Sequence, residues 1–139
     1  MFIGKYYYKL QQNGRVSIPK NFRVKNKEWI VTRGLDGCLF LLKANTFKQE
    51  LGQLAKRSFT KKAHRDLTRI MTNEAKLIKA DNNGRVHLPK YLIEYANLHQ
   101  EIVIVGSFSR IEIWDQKKYH QYIDQLENQA EVIAEQIND

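Results

Sequence analysis

Residues 9–20 read KLQQNGRVSIPK, and residues 79–90 read KADNNGRVHLPK. Seven of the twelve positions are identical: Lys9/Lys79, Asn13/Asn83, Gly14/Gly84, Arg15/Arg85, Val16/Val86, Pro19/Pro89 and Lys20/Lys90. A phrase written twice marks two copies of one small unit, and that decides the architecture before any element is assigned. The likeness continues: EWIVTRGLDGCLFLL (28–42) follows the first phrase and EIVIVGSFSRIEIWD (101–115) follows the second. Aligning Gly34 with Gly106 pairs Val31 with Val103, Leu39 with Ile111 and Leu41 with Ile113, and makes the second copy two residues longer in its middle. Isolated units of about fifty residues bury too little surface to be comfortable alone. The two copies are therefore expected to share one core about a pseudo-two-fold axis.

Within each copy the Asn-Gly pair favours positive backbone dihedrals and marks a tight turn. After it, R-V-S-I-P and R-V-H-L-P alternate. Val16, Ile18, Val86 and Leu88 point to one face, and Arg15, Ser17, Arg85 and His87 to the other. Pro19 and Pro89 cannot continue a central strand but suit the first position of a helix. Short helical pieces are thus expected at KNFR (20–23) and KYLIEYA (90–96). Two further strands follow in each copy, joined at LDG (35–37) and SFS (107–109). Each copy then closes with a helical pattern, over 46–57 and 116–137. Thr46 and Gln49 have capping-box spacing, and Asp115 is placed to cap the last helix.

Charge narrows the class of partner. Residues 1–71 hold 16 Lys/Arg against 4 Asp/Glu, and residues 72–139 hold 7 against 11. Displaced counterions drive Lys/Arg association with phosphates, so the basic half favours a polyanion. A solvated lysine-rich surface would look the same by composition. In the last helix Tyr119, Ile123, Leu126, Ala130, Ile133 and Ile137 recur as a heptad seam, an apolar stripe made for another helix. Residues 115–139 also carry six acids and two lysines. That helix can pack within its own chain or complement the basic half of a neighbouring subunit.

The duplicated turn–Gly-Arg–strand–Pro phrase resembles the AbrB/MazE-type DNA-binding fold (SpoVT-AbrB), the swapped-hairpin barrel. FIGKY (2–6), the two N-G-R-V-x-[IL]-P-K phrases, Phe22-Arg23, GLDGCLFLL (34–42) and SRIEIWD (109–115) make the whole chain resemble the MraZ family of bacterial regulators. The resemblance implies a mixed α+β fold. Two tandem AbrB-like repeats would form a pseudo-two-fold β-barrel with flanking helices. The divisions would be 1–58 for the first repeat, 59–71 for a basic connector, and 72–139 for the second repeat with a long C-terminal helix. It further implies a sequence-specific, nucleoid-associated regulator, assembled as a ring-shaped homo-oligomer. Its ligand would be double-stranded DNA carrying repeated short boxes upstream of the cell-division and cell-wall gene cluster. Antitoxin relatives of the wider fold make a toxin partner the alternative, and a basic scaffold or adaptor is a further one.

The family is marked by Asp-x-x-x-Arg in each repeat. The second copy keeps it as Asp81–Arg85, whereas the first has Gln11–Arg15. An Asp partner tethers its arginine and consumes positive potential, so Arg15 is expected to be the freer of the two. Arg15 and Arg85 are the candidate DNA readers, because a guanidinium can grip two phosphate oxygens or guanine O6 and N7 at once. Lys9, Lys20, Lys79, Lys90 and Arg23 are candidate phosphate contacts, with pairing to a nearby acid an equal prospect for Arg23. Gln11, Gly14, Asp81 and Gly84 are the loop-supporting residues.

No catalytic pattern stands out: GxSxG, a phosphate loop and a dinucleotide fingerprint are all missing from the sequence. The four histidines (64, 87, 99, 120) lack metal-ligand spacing, so no metal, cofactor or small-molecule substrate is expected. The single cysteine, Cys38, reads as core, and a chain with one cysteine suits a reducing, cytoplasmic compartment. Tyr6, Tyr7 and Tyr8 are more simply packing residues than base stackers, and FTKKAHRDLTRI (59–70) reads as a solvated helix face. The apolar runs CLFLL and IVIV are too short to span a bilayer.

Overall fold

The computed structural model describes residues 1–137. Each copy opens with a strand that its own copy does not pair. In the first copy this is β1 (Lys5–Lys9), followed by β2 (Arg15–Ser17), a 3-10 turn (Lys20–Phe22), β3 (Glu28–Arg33) and β4 (Leu39–Lys43). Helices α1 (Ala44–Ser58) and α2 (Lys62–Asn73) come next. The second copy supplies β5 (Lys76–Lys79), β6 (Arg85–His87), α3 (Lys90–Tyr95), β7 (Glu101–Ser107), β8 (Arg110–Asp115), α4 (Gln116–Glu127) and α5 (Ala130–Gln136).

The strands exchange between copies. β1 pairs with β7 of the second copy, and β5 with β3 of the first, in an antiparallel six-stranded sheet ordered β1-β7-β8-β4-β3-β5. β4 and β8 meet at its centre, with Leu39 opposite Ile113 and Leu41 opposite Ile111. β2 and β6 pair only with each other, with Val16 opposite Val86. Every one of these pairings maps onto its counterpart when the copies are interchanged. That is the pseudo-two-fold expected of a duplication, and it makes neither copy complete without the other.

The ribbon of β2 and β6 lies over one face of the large sheet. Val16, Ile18, Val86 and Leu88 join Trp29, Val31, Leu39, Leu41, Ile102, Ile104, Ile111 and Ile113 in one buried cluster. The opposite face buries Cys38, Phe40, Leu42, Val103, Val105 and Trp114 under Phe47, Leu51, Leu67, Tyr119 and Tyr122 from α1, α2 and α4. A strand covered on both faces reads as an unbroken apolar run, which is why CLFLL and IVIV do not alternate. Cys38 is fully buried, as a core residue should be; burial pushes its thiol far up, and Sγ donates to the Leu35 carbonyl at 3.2 Å.

Several sequence expectations shift. The strand registers make Trp29 the counterpart of Ile102, since Glu28 faces Lys79 and Glu101 faces Lys9. Val31 therefore corresponds to Ile104, one residue beyond the Val103 expected from aligning the glycines, and Val31 and Val103 lie on opposite faces of the sheet. The β3–β4 hairpin is longer because its turn holds two positive-φ residues, Asp36 and Gly37, where the β7–β8 turn has only Phe108. Helix α1 starts at Ala44, so Thr46 lies inside its first turn and no side chain caps it. Asp115 does cap α4, accepting from the Lys118 N–H at 3.4 Å.

Most of the expected connector (59–71) lies in α2, which packs on α1, buries Met71 and offers the Met71 carbonyl to the buried Thr32 hydroxyl at 2.9 Å. The C-terminal helix is divided at Asn128–Gln129. There the Leu126 carbonyl accepts from both following N–H groups, and Gln129 leaves helical geometry at φ −121°, ψ 12°. No residue of α5 is buried, so no packing on the rest of the chain enforces continuity. Among the described residues no helix is long and apolar enough to cross a membrane.

Candidate nucleic-acid interface

The site is built on the ribbon. Cross-strand partners share a face, so Val16 and Val86 point inward while Arg15, opposite His87, and Arg85, opposite Ser17, point outward. Burying each valine contributes about 1.5–3 kcal/mol, enough to hold the ribbon's orientation. The two arginines are diagonal neighbours, whose Cβ atoms in such a ladder lie about 7–8 Å apart. Both guanidinium groups thus stand on one outward face, and neither enters the core.

The turns before them have the same backbone. Gly14 (φ +82°) and Gly84 (φ +76°) take left-handed conformations that L side chains rarely adopt. The Gly14 N–H donates to the Gln11 carbonyl at 2.9 Å, and the Gly84 N–H to the Asp81 carbonyl at 3.0 Å. Each loop is also stitched to the other copy. The Ile18 N–H donates to the Gly84 carbonyl at 2.8 Å, and the Leu88 N–H to the Gly14 carbonyl at 2.9 Å.

The side chains break this symmetry. Asp81 Oδ1 accepts from the N–H groups of Asn83 and Arg85, each at 2.9 Å, and Oδ2 accepts from Arg85 Nε at 3.0 Å. The Arg85 backbone N–H, with those of Asn83 and the guanidinium added, holds the Asp81 carboxyl below its ordinary value. Gln11 makes no such bonds; the Arg15 N–H instead leans on Asn13 Oδ1 at 3.3 Å. The Arg15 guanidinium is exposed and has no acceptor among the described residues, as the missing aspartate led one to expect.

The candidate phosphate contacts lie on several elements. Lys20 and Lys90 are exposed, at the first position of their helical turns just after Pro19 and Pro89. Lys9 lies at the end of β1, 3.9 Å from Glu101, and Lys79 occupies the matching place opposite Glu28. Among the described residues Arg23 pairs with no acid; its Nε donates to the Ile18 carbonyl at 3.1 Å, and its guanidinium covers Gly84 so closely that a Cβ there would collide with it. Lys27 was not singled out by sequence, yet its Nζ donates to Asn82 Oδ1 at 2.6 Å. With Lys25 it lines a small cavity of about 200 Å³ beside Asp81 and Gly84. Lys25 and Lys27 belong to no repeated phrase, so a reading guided by the duplication passes over them.

Tyr6 and Tyr8 pack against the core, while Tyr7 is half exposed and stacks on His120 at 5.8 Å. Among the described residues no group of three or more His, Cys, Asp or Glu could hold a metal ion.

The family comparison finds the same two copies, with the boundary between them inside α2. A model described as "MraZ protein, putative antitoxin-like" matches twice, over residues 1–70 and 71–138. The chain belongs to the MraZ family. Each MraZ match contains the strand that crosses to the other copy and one Gly-Arg loop. MraZ is a family of regulators rather than of enzymes, and this chain is MraZ-like in that general sense. The departure from the MraZ pattern at Gln11 falls on the loop whose arginine is untethered.

Proposed function

We propose that this chain is a sequence-specific DNA-binding transcription regulator that reads duplex DNA with its β2–β6 ribbon. One observation carries the reading: Arg15 and Arg85 stand together on the outward face of a two-stranded ribbon whose inward face is locked into the core. The major groove, about 12 Å wide, admits such a ribbon, and a bidentate arginine–guanine contact discriminates by about 1–3 kcal/mol. Lys9, Lys20, Lys79, Lys90 and Arg23 then hold phosphates and fix register without reading sequence.

Two arginines per chain give modest specificity. A ring-shaped homo-oligomer presenting the ribbon repeatedly would engage several short boxes at once, as expected for repeats upstream of the cell-division and cell-wall genes. The C-terminal end supports assembly: Val132 and Ile137 are 55% and 66% exposed, and residues 119–137 hold four acids and no Lys or Arg. Residues 44–73 hold seven Lys/Arg against two acids and line an apolar groove with Phe47, Leu51, Leu54 and Leu67, a complementary seat for a neighbour's α5.

The test is selection of duplexes from a random pool by the full-length protein. A recurrent short box, bound more tightly than a shuffled duplex and weakened steeply by salt, is expected. Equal binding to every polyanion would leave only the basic scaffold. The family description favours a second reading, capture of a toxin partner, which the same ribbon would serve by masking an acidic or catalytic surface on that protein. Co-purification of one stoichiometric protein with no duplex selected would favour it.

A further inference from the structure

We infer that the two loops of one chain do unequal work: Arg85 is the base-reading arginine, held by Asp81 on a loop braced by cations of the first copy, and Arg15 is a mobile phosphate contact. The inference rests on the DNA reading of the ribbon and adds to it a division of labour and two further phosphate-holding residues, Lys25 and Lys27.

The observations differ loop by loop. A guanidinium discriminates bases only if its plane is held in the orientation that meets O6 and N7 together, because bidentate geometry is what rejects the wrong base. Arg85 is so held: Asp81 fixes its Nε at 3.0 Å and its backbone N–H at 2.9 Å, leaving the terminal amino groups free of that carboxylate. Arg15 has neither restraint, so ordering it on a base costs side-chain entropy that Arg85 has already lost.

The backing of the loops differs in the same sense. Behind Gly84 lies the Arg23 guanidinium, and Asn82 at the turn is gripped by Lys27 at 2.6 Å. Behind Gly14 the matching neighbour is the Ile93 side chain, 3.3 Å from where a Cβ would stand, with the Leu88 carbonyl at the same distance. Arg23, Lys25 and Lys27 more than offset the Asp81 charge at the second loop. The tethered arginine therefore sits in the stronger phosphate field, whereas the free arginine has apolar support. A loop with an oriented reader and surrounding cations suits a fixed register on the duplex. A loop with one unrestrained cation suits contact with whichever phosphate is near.

The experiment uses the full-length protein, a duplex it selects from a random pool, and a shuffled duplex of equal composition. Arg85→Ala should lower the selected-to-shuffled affinity ratio about tenfold or more, within what one bidentate contact supplies. Arg15→Ala should weaken both duplexes alike, keep the ratio, and reduce the slope of log K against log salt by about 0.9. Lys25→Ala should behave as Arg15→Ala does, whereas Lys27→Ala, which also releases Asn82, should lower the ratio as well. Gln11→Asp should lower affinity for the shuffled duplex by tethering Arg15, with the assembly mass unchanged. Equal loss of the ratio in Arg15→Ala and Arg85→Ala would overturn the division of labour while leaving the ribbon as the reader. Wild-type affinity in both would overturn the ribbon itself and this inference with it.

Discussion

A Cβ added to Gly106 would lie 2.4 Å from the Phe2 carbonyl carbon, because the N-terminal segment crosses directly over this residue. That crossing carries Phe2 into the core, edge-on to Phe22 at 5.2 Å, and gives the opening FIGKY a structural purpose. The obstruction is backbone, which cannot swing aside as a long side chain can. Gly106→Ala should destabilise the protein by about 3 kcal/mol, read as a shifted denaturant midpoint with unchanged slope. A loss within the ±0.5 kcal/mol or so of an ordinary surface change would show that the segment moves freely. Asp81 is a second residue with a defined thermodynamic role. Its folded carboxyl titrates below its ordinary value, so its contribution is complete above that ordinary value. The contribution is lost as pH falls through the lowered folded one. Wild type and Asp81→Asn should therefore differ in stability at neutral pH and converge on acidification; a gap that stays constant would contradict this. The pair Asp81–Arg85 was legible from spacing alone, because four residues around an Asn-Gly turn return the chain to the same place. The grip of Lys27 on Asn82 was not, because it joins residues that only the exchange of strands brings together.

At the scale of elements, α4 is fixed at its start and unsupported at its end. Asp115 is 7% exposed and serves two elements: Oδ2 caps α4, while Oδ1 accepts from the N–H and Nδ1 of His99, each at 3.0 Å. Burial pushes the Asp115 carboxyl up, but the hydrogen bonds from His99 and Lys118 outweigh it and hold the group below its ordinary value. Asp115→Ala loses the cap and leaves the His99 N–H without its acceptor, and should cost about 2 kcal/mol in a thermal or denaturant melt. Wild-type stability would mean that the cap contributes nothing. Tyr119 and Tyr122 then close the outer face of the sheet, with ring centroids 5.6 and 5.2 Å from that of Trp114. Past Asn128 no residue of α5 is buried among the described residues. Val132→Glu/Ile133→Glu should leave the monomer's melting unchanged and reduce the assembly mass measured by light scattering. An undiminished mass would remove α5 from the subunit contact. The heptad stripe was visible in the sequence, but its interruption was not, since Asn128 and Gln129 are ordinary helix residues and only missing packing separates them.

For the whole molecule, duplication was the most legible property, and it fixed more than either copy could. Two short ribbons of alternating residues, each too small to stand alone, become one eight-stranded structure by trading β1 and β5 across the axis. The sequence alignment missed the true register of β3 and β7 by one residue. Glycines in hairpin turns of unequal length are poor markers of strand position, whereas the pairs Lys9–Glu101 and Lys79–Glu28 mark it correctly. The charge imbalance between halves was equally plain, but its use was hidden: the basic first copy lends Arg23, Lys25 and Lys27 to the loop of the second. The proposed DNA contact lies on the outer face of the β2–β6 ribbon. The direct measurement places a photoreactive residue at Ser17, between the two arginines, and another at Lys56 on the helical side, and irradiates each full-length variant with its selected duplex. Cross-links at position 17 that vanish when Arg15 and Arg85 are both alanine, with none at position 56, are the predicted result. Cross-linking from position 56 and none from position 17 would contradict it.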